Sequence, residues 1–111
     1  MTEPLHLIDE RQIADAVAKG ISLIPGVHMP NELEADVSTV GPGWRVWGIG
    51  IHRVAGELDI AIELLVTLNK TRSIPTISAR VRRKARAIIQ SLTTEPIRRL
   101  NLRITDIFIE E

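Results

Sequence analysis

The apolar positions of the chain begin with a helical period. Ile13, Val17, Ile21 and Ile24 recur at three- or four-residue spacing with Ala14 and Ala18 beside them, so one apolar stripe runs along a helix from about Glu10 to Ile24. Asp9 stands at the N-cap position with Gln12 three residues on, the pattern of a capping box. Pro25-Gly26 closes the helix, because proline disfavours helical geometry in the residue before it. Alternation then replaces the helical period. Arg45 to Arg53 puts Trp47, Ile49 and Ile51 on one face, and Leu58 to Leu68 puts Leu58, Ile60, Ile62, Leu64 and Val66 on one face. Val54-Ala55-Gly56-Glu57 between them has the composition of a hairpin turn, with Gly56 taking the positive φ. A second helix is predicted from about Ile74 to Thr93, N-capped by Ser73 and with Pro75 in its first turn. Its stripe is Ile77, Val81, Ala85, Ile88 and Leu92, and Glu95-Pro96 breaks the chain after it. A last strand, from about Arg98 to Ile109, carries Leu100, Leu102 and Ile104 on one face. Its apolar phase flips after Asp106 to Ile107 and Ile109, which marks a bulge or a strand end buried on both sides.

Residues 28–43 are the least regular part, punctuated by Pro30-Asn31 and Gly41-Pro42-Gly43, with Val37 to Val40 as a candidate short edge strand. The order helix, short strand, strand, strand, helix, strand predicts one α+β domain over 1–111, with 1–7 as an N-terminal arm. The expected architecture is a two-layer sandwich: a mostly antiparallel sheet of three or four strands with both helices on one face. The other face would carry Val46, Gly48, Gly50, His52, Ala61, Glu63, Leu65, Arg99, Asn101 and Arg103, a mixed surface open to solvent or to a partner.

Apolar residues make up 44% and charged residues 25% of the chain, a balance that argues for a folded core over a disordered tail. Absence of cysteine removes disulfides, thiolate metal sites and cysteine nucleophiles, and fits a reducing compartment. No apolar run approaches the roughly 20 residues that span a bilayer. Met1-Thr2-Glu3-Pro4 lacks the basic and apolar regions of a signal peptide. A cytoplasmic location is expected, with any membrane association made through a partner.

Net charge is zero, but the charges are segregated. Between Arg72 and Arg103 the only acid is Glu95, whereas Glu3 to Asp36 is dominated by acids. Arg80, Arg82, Arg83, Lys84 and Arg86 fall on the second helix. With Val81 and Ala85 inward, Arg83 and Arg86 point outward, Arg80 and Lys84 flank one side of the stripe, and Arg82 flanks the other. Such a face is either a solvated surface balanced by acids elsewhere or the binding site of a polyanionic partner. Trp44, three residues before Trp47, projects to the opposite strand face, as an exposed interface anchor or a partly packed residue at the sheet end. No catalytic set emerges. His6, His28 and His52 lie far apart, Glu32, Glu34 and Asp36 lack the glycine pattern of a calcium loop, and Gly41-Pro42-Gly43 and Gly48-Ile49-Gly50 lack the context of a phosphate loop. No catalytic, cofactor-binding or metal-binding residue is assigned, and no cofactor is expected.

Taken together, Ile8 to Val27 (IDERQIADAVAKGISLIPGV), the Leu58–Val66 strand, Ile74-Pro75 opening a helix that contains Val81 and Ala85, and Leu102-x-Ile104-x-Asp106-Ile107 resemble the alkaline-shock-protein family, the envelope stress response proteins of Gram-positive bacteria. The likeness runs over about residues 8 to 109; the polar 28–43 segment and the strongly basic second helix depart from the family's pattern. The resemblance implies a non-enzymatic, self-associating cytoplasmic protein of cell-envelope homeostasis, gathered near the membrane through a membrane-embedded anchor protein. The residues then offer two expectations. The first is a self-associating scaffold or adaptor that uses the open sheet face, Trp44 and the chain ends for protein contacts, while its basic helix meets an acidic protein or an anionic membrane surface. The second is a small nucleic-acid-binding domain using Arg80, Arg82, Arg83, Lys84 and Arg86, although the chain lacks a GXXG clamp and an aromatic pair for base stacking.

Overall fold

A computed structural model describes residues 8–110, so the expected N-terminal arm and His6 lie outside the described residues. In chain order the elements are α1 (Glu10–Ile21), β1 (Val27–His28), β2 (Ser38–Gly41), β3 (Trp44–Trp47), β4 (Ile49–Val54), β5 (Glu57–Leu68), α2 (Ile74–Leu92) and β6 (Ile97–Ile109). This is an α+β fold in two layers. β5 is the axis of the sheet. β4 pairs antiparallel with its first half and β1 antiparallel with its second half. Glu63 donates its N–H to Gly48 and Thr67 donates to Gly26, so both short strands sit end to end along one edge of β5. β6 takes the other edge, and it is parallel to β5. The pairings are thus mostly antiparallel, as expected, with β5–β6 the one parallel pair among the described strands. α2 is a crossover connection that returns the chain to the starting end of β5 before β6 begins.

One face of the sheet makes the core. Ile13, Val17 and Ile21 of α1 and Ile77, Val81, Ala85 and Ile89 of α2 meet Ile49, Ile51, Leu58, Ile60, Ile62, Leu64 and Val66. Both helices therefore lie on the same face, as the apolar stripes required. α1 stops at Ile21, although Ile24 still packs into the core from the following turn. Asp9 caps it by accepting the Arg11 N–H, and the expected capping box with the Gln12 side chain does not form. In α2 the deeply buried position is Ile89 instead of Ile88. Ile88 packs against α1 at Gly20, where a Cβ would stand 2.2 Å from its Cδ1.

Two further expectations are corrected. The strand predicted over Arg45 to Arg53 is broken at Gly48, whose φ of +83 is open to glycine but strained for other residues. A Cβ there would also lie 2.8 Å from Pro30 and 2.9 Å from Met29. β3 accordingly leaves the main sheet and pairs with β2 in a separate ribbon. Trp47 does not join Ile49 and Ile51 in the core; it is half-buried, with the Arg45 guanidinium 4.7 Å above its ring. The second correction concerns the sheet face opposite the helices. The 29–37 segment crosses it: a Cβ on Gly50 would meet Val37, and the Asp36 and Val37 N–H groups donate to Glu63. Glu63 and Leu65 are buried as a result, while His52, Arg99, Asn101 and Arg103 stay exposed.

The phase flip in β6 is a bulge. Leu64 pairs with Ile104 and Leu65 with Asp106, so Thr105 is the extra residue, and its hydroxyl donates to the Leu64 carbonyl. Beyond it, Ile107, Phe108 and Ile109 are exposed.

Candidate functional site

The cations of α2 divide between two sides. Arg82 turns toward β6 and donates to the Leu100 carbonyl at 2.7 Å. Arg80, Arg83 and Lys84 line a shallow concavity of about 490 Å³ with Ala87, Ile88 and Ser91, an apolar floor ringed by positive charge. Arg86 is exposed on the outer surface. Among the described residues no carboxylate lies within ion-pair distance of Arg80, Arg82, Arg83, Lys84 or Arg86. A helix surface of one sign with no internal neutralisation attracts anions and repels itself.

Trp44 is not part of that surface. It lies on the β2–β3 ribbon, half-buried, with its ring over Gly41 and the Arg11 guanidinium 5.5 Å from the ring centre. Of the two alternatives for Trp44, partial packing describes its place. The tryptophans are thus each covered by an arginine of their own neighbourhood.

His52 lines a depression of about 280 Å³ with Glu10, Ser38, Thr39 and Arg53, but the Glu10 carboxylate faces Arg53 at 3.5 Å. No hydrogen bond joins His52 to an acid among the described residues. His28 bonds instead to the Thr67 hydroxyl at 3.0 Å. Among the described residues no three His, Asp or Glu side chains stand together to hold a metal ion.

Sequence patterning pointed at the basic helix and passed over two features. The first is an anchored ion pair. Arg53 at the end of β4 grips Glu95, on the α2–β6 link, through Nε at 2.8 Å and Nη2 at 3.0 Å, and also donates to the Ile8 carbonyl. Thr93 adds a hydroxyl donor to Glu95 at 3.0 Å. The Arg53 hydrogen bond holds the Glu95 carboxyl below its ordinary pKa despite burial, and the same bond raises that of Arg53. The second is the outer edge of β6. Among the described residues no strand pairs with it, although the strand is 13 residues long and its last turn-out carries Ile107, Phe108 and Ile109. A concavity of about 840 Å³, lined by Leu68, Arg72, Ile74, Pro75, Ile109 and Glu110 among others, opens at the C-terminal end of that edge.

No helix of the described residues is long and apolar enough to cross a membrane. Compared with protein-family models, with curated proteins and with solved structures, the chain matches none.

Proposed function

We propose that this chain is a non-enzymatic, self-associating scaffold or adaptor of the envelope stress-response type, working through protein contacts near the cytoplasmic membrane. The observation that carries this reading is the outer edge of β6, with which no strand pairs among the described residues. A long edge strand with apolar residues exposed at its end is a template for strand addition. On this reading the α2 surface around Arg80, Arg83, Lys84 and Arg86 serves an acidic protein or the anionic headgroups beside a membrane-embedded anchor, where each cation near such a surface is worth about 1 kcal/mol. Sedimentation velocity over a wide concentration series tests the self-association. A mass that rises with concentration supports the reading, and a monomer throughout overturns it.

Nucleic acid is the second reading, favoured by the same unneutralised α2 cations. Against it, Trp44 and Trp47 are stacked by arginines on the separate ribbon and offer no platform for bases beside α2. Titration with RNA and DNA at two salt concentrations separates the readings, since phosphate contacts weaken steeply with salt. Absence of binding at low salt rules the nucleic-acid reading out.

A further inference from the structure

Which backbone groups of β6 face outward follows from the hydrogen bonds of β5. Glu63 and Thr67 turn their N–H groups toward β4 and β1, whereas Leu58 donates to Pro96 and Leu68 accepts from Glu110 on the β6 side. Even-numbered β5 residues therefore turn toward β6. In a parallel ladder, the residue opposite each of them turns its own N–H and C=O away. Leu100, Leu102 and Ile104 stand opposite Ile60, Ile62 and Leu64, and after the bulge Ile107 and Ile109 stand opposite Val66 and Leu68. These five residues form the outward row, and the Arg82 bond to the Leu100 carbonyl reaches it from outside the sheet.

The bulge at Thr105 shifts this row from even to odd numbers, and that shift decides how β6 can pair with a copy of itself. Residues facing each other across an antiparallel ladder must both turn inward or both turn outward. In an unbroken strand a two-fold axis can therefore relate only residues of equal parity. In β6 an axis between Ile104 and Thr105 satisfies this condition across the bulge. It sets Leu100 against Ile109 and Leu102 against Ile107 on the helix-bearing face. On the other face it sets Arg99 against Glu110, Arg103 against Asp106, and Asn101 against Phe108. Every charged residue between Arg99 and Glu110 thus meets its opposite, and the apolar residues of the core face meet each other. A slip of two residues either way removes both ion pairs, and a slip of one turns each side chain to the wrong face.

We propose that β6 is a homodimerisation edge, with two copies joined antiparallel about a two-fold axis between Ile104 and Thr105 into one continuous sheet. The proposal rests on the self-association reading and names its partner and register. Arg103 leans on Asp36 at 3.3 Å and stands 3.9 Å from the buried Glu63 carboxylate, and Glu110 leans on Arg72 at 3.8 Å; Arg103, Asp36 and Glu110 are themselves exposed, so these pairs hold the side chains weakly. Like faces meet in this dimer, so the α2 helices of both copies lie on the same side of the joined sheet.

Charge exchange across the axis tests it, with sedimentation velocity as the readout and circular dichroism to establish that each chain is folded. Arg103→Asp and Asp106→Arg each place like charges opposite one another twice per dimer, and each weakens dimerisation by about ten-fold or more. The double variant Arg103→Asp/Asp106→Arg restores it. Mixing the Arg103→Asp chain with the Asp106→Arg chain also restores it, because each then supplies what the other lacks. If the wild-type chain self-associates and the single variants do so equally well, or if folded single variants are not rescued by exchange or mixing, the β6 register is wrong while the scaffold reading stands. A wild-type chain that is monomeric at every concentration overturns both.

Discussion

Replacing Glu95 by alanine takes away the group that organises Arg53. The carboxylate is 8% exposed and receives two guanidinium hydrogen bonds, at 2.8 and 3.0 Å, together with the Thr93 hydroxyl. Through Arg53 it joins the end of β4, the α2–β6 link, the start of α1 at Glu10, and the Ile8 carbonyl. Removing one partner of a buried ion pair costs about 3–5 kcal/mol, because the remaining charge is left without its counterion. Arg53 keeps Glu10 and is itself 23% exposed, so the lower end applies, about 3 kcal/mol. Against a domain stability of about 5–15 kcal/mol, that is a loss of roughly 10–20 °C in Tm. Urea unfolding followed by Trp44 and Trp47 fluorescence measures it, and a double-mutant cycle with Arg53→Met isolates the coupling. Coupling below about 0.5 kcal/mol would mean that the Arg53–Glu95 pair does not hold these elements together. The pH dependence has a definite sign. The folded-state pKa of Glu95 is lowered by the Arg53 hydrogen bond, so its contribution is complete above the unfolded carboxylate value and is lost as the pH falls through the folded one. The stability gap between wild type and Glu95→Gln is therefore constant near neutrality and closes in acid.

Glu63→Ala removes the acceptor of the Asp36 and Val37 N–H groups and frees the 29–37 segment from the sheet, at about 2–4 kcal/mol, with faster amide exchange at 36 and 37 as the specific readout. Gly48→Ala forces a side chain into positive φ and against Pro30, and is expected to destabilise by more than about 1 kcal/mol in the same urea assay. Ala55→Gly acts in the opposite direction: Ala55 holds φ at +53 in the β4–β5 turn, and relief of that strain raises stability by about 0.5 kcal/mol. Arg83→Glu with Arg86→Glu leaves stability within about 0.5 kcal/mol in urea unfolding, since neither residue has an intramolecular ion partner among the described residues.

Much of this fold was legible because long elements advertise their period. Both helices, β5 and β6 follow from repeated apolar positions, and of the two readings of the phase flip in β6 the structure selects the bulge. The direction of β6 was not legible, since a period of two is the same in parallel and antiparallel strands. Neither was the break at Gly48. Alternation runs unbroken through Trp47, Ile49 and Ile51, and a single positive φ leaves no trace in hydropathy. Glu63 looked like part of an open polar face, yet it lies between Ala61 and Leu65 on that face, an apolar setting that hinted at a cover. The side on which Arg82 lies was readable from the helical wheel, but its bond to the Leu100 carbonyl needed the position of β6. The opposed charges of β6 are plain in the sequence. Their complementarity is not, because it depends on the parity change at the bulge.

The proposed pairing of two copies along β6 can be read directly by cross-linking. The chain has no cysteine, so a pair of single-cysteine variants reports the proposed register directly. Asn101 and Phe108 of the two copies face each other as a non-hydrogen-bonded pair, with Cα atoms about 4.5 Å apart, which a disulfide spans. Two copies of Asn101 lie about 20 Å apart along the strand, beyond its reach. On mixing equal amounts of Asn101→Cys and Phe108→Cys chains under mild oxidation, the mixed disulfide should exceed each homodisulfide by far more than the two-fold that random collision gives, with the homodisulfides nearly absent. The statistical proportions of one to two to one, or no cross-link from a folded mixture, would contradict the β6 register.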